Sequence, residues 1–133
     1  MYRKAFEQLV RGAVEALPVA GKAAMENVAF VVEKEARRQK AREVGIRRNE
    51  VLLGLYEGIP KTKRGANYFG VLPDKITVFQ RPIEALAGGE LGELRRLVYE
   101  VIWHEVGHHL GLDEKGIRAR EAKRKVRVPH VSN

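Results

Sequence analysis

Between Tyr2 and Leu17 apolar residues recur at intervals of three and four: Phe6, Leu9, Val10, Ala13, Val14 and Leu17 mark one helical face, which Pro18 ends. Asn27 to Glu33 is rich in Val and Phe and reads as a buried strand. Lys34 to Arg48 is highly charged and weakly patterned, which suits either a frayed helix or a solvated loop. Val51 to Tyr56 is a second strand candidate, and the Gly, Pro and charged residues of Glu57 to Gly65 make an exposed connection. After a turn at Pro73-Asp74, Ile76 and Val78 alternate with Lys75 and Thr77 in Lys75 to Gln80, as in a strand with one wet face. Pro82 begins a short helical turn, and Gly88-Gly89 separates it from the next element. That element, Glu90 to Leu110, is the longest periodic segment, with an apolar arc set by Leu91, Leu94, Val98, Val101 and Ile102.

A chain of 133 residues has room for one compact unit with one core, and 44% hydrophobic with 32% charged residues belongs to a globular protein. The longest unbroken apolar run, Val28 to Val32, is far below the roughly 20 residues of a membrane-spanning helix, so no membrane partner is expected. Glu7 interrupts what would have to be the apolar stretch of a secretion signal, and the expected location is cytoplasmic. Cysteine is absent, which excludes disulfides, thiolate nucleophiles and cysteine-ligated metal; any metal must use histidine and carboxylate. The net charge of +8 favours anionic partners, and seven Lys/Arg against one Glu fall in Lys115 to Asn133, a solvated face or loose tail.

Three of the four histidines lie at the end of the long helix, in His104-Glu105-Val106-Gly107-His108-His109-Leu110-Gly111-Leu112-Asp113-Glu114. His104 and His108 are one turn apart on one side, so both imidazoles can reach a single ion, and Glu105 is rotated about 100° from His104 and can sit beside it. Glu105 also falls inside the apolar arc, where a carboxylate costs several kcal/mol, of order 3 to 5, unless it is paired, protonated or near a metal. Shuffling this composition yields His-Glu-x-x-His in about one sequence per hundred, so the spacing carries information. Core histidines satisfied by hydrogen bonds, and a metal site without turnover, are the alternatives. A catalytic zinc usually takes three protein ligands, and downstream of His108 the acids are Asp113, Glu114 and Glu121, with His130 in the tail. Gly111 permits the positive backbone angle that lets the chain reverse over the ion. Glu114 is the leading third ligand by spacing and Asp113 the alternative, although Asp113 also suits the N-cap of a following short helix. His109 points with Leu91 and Ile102 and reads as a packing residue or a support for the ligands.

On these residues the chain resembles the zincin metallopeptidases, and more closely a small bacterial zincin-like family that looks like a minimal metzincin. The likeness extends to the Phe6 to Pro18 helix, to Leu53-Gly54-Leu55-Tyr56-Glu57-Gly58 and to Leu72-Pro73-Asp74-Lys75-Ile76-Thr77-Val78-Phe79. It implies a zinc ion held by His104, His108 and Glu114, with Glu105 as general base of a peptidase acting on peptide or protein substrates. The methionine turn of metzincins has no counterpart, since Met1 and Met25 both precede the motif. With the elements above it implies an α+β fold: a small mixed sheet of about three to four strands packed on the N-terminal helix and a long metal-binding helix. A single zincin-like domain would span residues 1–123, followed by a basic C-terminal tail, 124–133. Zincin substrates lie along an edge strand beside the active-site helix, here Lys75 to Gln80 or its neighbour, and Tyr68 is a packing residue or a transition-state donor. Two other functions compete: a metal-dependent ribonuclease, and a basic nucleic-acid-binding protein with a non-catalytic metal site. Glu105 argues against the first, and the lack of aromatic residues after Lys115 against the second.

Overall fold

The computed structural model describes residues 1–47, 50–58, 74–109 and 126–127. Helix α1 (Arg3–Glu15) buries Phe6, Val10 and Ala13, three residues of the predicted stripe. The helix ends short of Pro18, as expected, and Pro18 also stands at the N-cap of a further short helix that the periodicity does not mark, α2 (Val19–Ala24). Strand β1 (Val28–Glu33) follows as expected. The charged segment after it contains a short helix, α3 (Arg38–Glu43), tied to the sheet by an ion pair from Lys40 Nζ to Glu57 Oε2 at 3.0 Å. Glu57 holds the Lys40 ammonium above the usual lysine range, by hydrogen bond first and by charge second.

The strand expected over Val51 to Tyr56 is two strands with different partners. β2 (Glu50–Val51) pairs antiparallel with β5 (Val126–Arg127), in the segment read as a tail, whereas β3 (Gly54–Glu57) pairs antiparallel with β4 (Asp74–Phe79). Leu52 and Leu53 bridge the two and are both buried. A short, mostly apolar segment carries no local mark of where the partner changes. β4 also pairs parallel with β1, so the main sheet is mixed, in the order β1-β4-β3, and the fold is α+β. Because β4 is central, Thr77 is only 2% exposed, and the expectation of a wet face holds only as far as the half-buried Lys75. For the same reason β4 is no edge for a substrate; among the described residues its neighbour β3 is.

Helix α4 (Gln80–Ala87) starts two residues before Pro82, in a first turn whose N–H groups have no intrahelical acceptor and so tolerate proline. Gly88, at φ +62°, closes it in the left-handed conformation that glycine adopts freely. The long helix α5 (Leu91–His109) runs against α1, α4, β3 and β4. Its residues Leu94, Leu97, Val98, Val101, Ile102 and Val106 join Phe6, Leu53, Ile76, Val78 and Ile83 in one core. Leu91, predicted for the apolar arc, is 47% exposed because it opens the helix, ahead of the first buried turn at Leu94. Among the described residues no helix is long and apolar enough to cross a membrane.

Candidate metal centre

The last two turns of α5 bring together three of the predicted site residues. His104 and His108 face one another with Nε2 atoms 3.3 Å apart, ring centroids 5.0 Å apart and ring planes tilted by 57°. Glu105 Oε2 lies 3.7 Å from His104 Nε2. One ligand atom from each of the three side chains falls within 4.8 Å of the others. His104 and Glu105 are buried and His108 is half-buried, so the group sits where the core meets solvent.

The donor set fits a zinc ion. Two imidazole nitrogens bound at about 2.05 Å to a tetrahedral zinc stand about 3.3 Å from each other. The same separation also suits a hydrogen bond between one protonated and one bare ring nitrogen. Glu105 occupies the core-facing arc, as its angular position on the helix predicts, at 4% exposure. Such a carboxylate needs a partner. It has one in the backbone of the edge strand, whose Tyr56 N–H donates to Glu105 Oε1 at 2.9 Å.

Glycine makes that reach possible. A Cβ at position 54 would stand 2.5 Å from Val101 Cγ1 and 3.3 Å from Glu105 Cγ, so only the bare backbone of Gly54 lets β3 lie this close to α5. Val44, Leu52, Gly54, Leu55, Tyr56, Glu105 and His108 line a cleft of about 50 Å³ between strand and helix. It is large enough for a water molecule beside the carboxylate. A wider groove carrying Arg37, Arg38, Arg42 and Arg47 lies beside β2 and shares Leu52 with this cleft.

The tyrosine does more than its strand assignment suggests: its hydroxyl donates to Asp74 Oδ2 at 2.8 Å, and Asp74 is 3% exposed. Sequence reasoning took Tyr56 for an ordinary strand residue and Asp74 for a turn former. An acid two residues before Ile76, on the same face of the strand, was the available signal. The candidate third ligands Glu114 and Asp113, together with Glu121, His130 and Tyr68, lie outside the described residues, as do the loop at 61–65 and the side chain of His109.

A family model described as zincin-like metallopeptidase matches residues 25–124, more than half of the chain. Among solved structures the chain is similar to a conserved hypothetical protein from T. thermophilus. The two are 25% identical over 90% of this chain and 99% of that one, with a TM-score of 0.55. No curated protein matches.

Proposed function

The chain belongs to the zincin-like metallopeptidase family, and from that premise we propose that it is a zinc-dependent peptidase with Glu105 as its general base. The observation that carries the reading is the placement of Glu105. Its carboxylate is buried, held at one oxygen by the Tyr56 N–H, and presents the other toward His104 in a cleft that opens on the edge strand. A carboxylate held at one oxygen with the other beside a metal-type histidine pair is placed to meet one water molecule.

His104 and His108 would hold the metal, and Glu114 is the proposed third ligand with Asp113 the alternative. When bound, zinc would polarise a scissile carbonyl and lower the pKa of water toward about 7. Glu105 then accepts a proton from the attacking water and returns it to the leaving amine, so one carboxylate serves both halves of amide hydrolysis. Fixing Oε1 leaves Oε2 as the oxygen that takes the proton. Among the described residues β3 stands at a sheet edge, where an extended peptide would align along the strand and so set its register against the base. Peptide or protein chains are therefore the proposed substrates.

Glu105→Gln is the test, because it keeps size and hydrogen bonding but removes the base. Zinc titration calorimetry is expected to show an affinity within about tenfold of wild type. Hydrolysis of casein or an unstructured peptide is expected to fall by about a hundredfold or more. Full peptidase activity in the variant removes Glu105 from the mechanism. Cleavage of a short RNA without cleavage of peptide replaces the reading with the nuclease.

A further inference from the structure

We propose that Asp74 and Tyr56 form a clamp that positions Glu105, acting through the edge strand rather than on the substrate; the inference rests on the assignment of Glu105 as the base. β3 is four residues long, ends at Glu57, and among the described residues pairs with β4 on one side only. Tyr56 donates its N–H to Glu105, so the base is held by the edge of the strand. The position of that N–H follows any movement of the strand end. A short strand paired on one side frays, and local opening is cheapest at such ends.

Three observations converge on Asp74 as the anchor. The Tyr56 hydroxyl reaches diagonally across the sheet to its carboxylate, at 2.8 Å, from a residue paired with Ile76. Asp74 is 3% exposed at the head of the central strand, which is held by neighbours on both sides. At Gly58 the backbone runs directly over the same carboxylate: a Cβ there would stand 2.5 Å from Asp74 Cγ and 2.9 Å from its Cβ. The acid thus lies under the strand end, ties its tyrosine from below and leaves no room for a side chain above. Burying a carboxylate is unfavourable without strong acceptor geometry, and a phenol donor to an ionised acid is a strong hydrogen bond. The interaction runs from Asp74 through Tyr56 Oη and the Tyr56 backbone to Glu105 Oε1.

Amide hydrogen exchange at residue 56 in the full chain reads the clamp without substrate. In wild type the Tyr56 amide is expected to be protected, and Glu105→Ala to remove that protection. Tyr56→Phe and Asp74→Asn should each speed exchange at this amide by about tenfold, the loss of one buried charge-assisted hydrogen bond. The double variant should be no faster than either single one. Thr77→Val, at a buried polar position on the same strand outside the clamp, should leave that amide unchanged even if it lowers stability. In peptide assays the two clamp variants should lower kcat while KM and zinc affinity stay near wild type. Unchanged exchange at residue 56 in both variants, or equal acceleration by Thr77→Val, overturns the clamp. Exchange that responds as expected in a protein that cleaves no peptide leaves the clamp standing and removes the peptidase reading.

Discussion

The two halves of α5 are equally buried and chemically opposite. From Leu94 to Ile102 the core-facing side is aliphatic, with Val98, Val101 and Ile102 fully enclosed. Within the next turn the same helix buries His104 and Glu105 nearly as deeply. The first half stabilises the fold in proportion to the apolar area it removes from water, at about 25 cal/mol per Å². The second opposes folding unless its polar atoms are partnered: the carboxylate takes the Tyr56 N–H of β3, and the two rings of the helix face each other. One half holds the molecule together, and the other is tolerated because it does something else.

Zinc should separate the halves most sharply. At a concentration of about a thousand times Kd, zinc is expected to raise wild-type stability by about 4 kcal/mol. His104→Ala and His108→Ala should each abolish that increment, while stability without zinc changes little. Urea denaturation with and without zinc checks this, and an increment surviving in either variant places the ligands elsewhere.

Next in size is Ile102→Ala, which removes a fully buried side chain and should lower stability by about 3 kcal/mol through lost burial plus the cavity left behind. This loss should be the same with and without zinc. A zinc-dependent loss would mean that the halves are coupled through the helix.

Gly54→Ala probes the seam where both halves meet β3, since the new methyl collides with Val101 in one and crowds Glu105 in the other. A stability loss of about 2 kcal/mol is expected from overpacking. Peptidase activity should fall further than stability alone explains, because the strand that holds Glu105 must move. Thermal melts and peptide assays run together distinguish the two effects.

The smallest effect belongs to the solvent face of the apolar half, where Arg96 bridges Glu93 and Glu100, the latter at 2.7 Å. The hydrogen bond from Arg96 holds the Glu93 carboxyl below its usual range. A depressed carboxylate contributes stability that is present above the unfolded value, near about 4.3, and lost as pH falls through the lower folded value. Arg96→Ala should return Glu93 toward ordinary titration and flatten that acid limb, as read by NMR. The pair is exposed, so neutral-pH stability should hardly move.

Periodicity alone determined α1 and α5, because each buries one regularly spaced set of apolar side chains and that spacing is written in consecutive residues; β1 was legible from its run of Val and Phe. Periodicity also determined that His104 and His108 share a side of α5 with Glu105 on its core-facing arc, since these relations follow from helical geometry within five residues. Only the tertiary structure decided that Val51 to Tyr56 divides between two sheets, that Thr77 is buried in a central strand, and that Pro18 opens a helix. Each of these depends on which distant segment lies alongside, and a run of apolar residues is compatible with several neighbours. The partners of Glu105 belong to the same class. Tyr56 is 49 residues away along the chain and meets the carboxylate through its backbone N–H, a group every residue except proline possesses and no sequence pattern can single out.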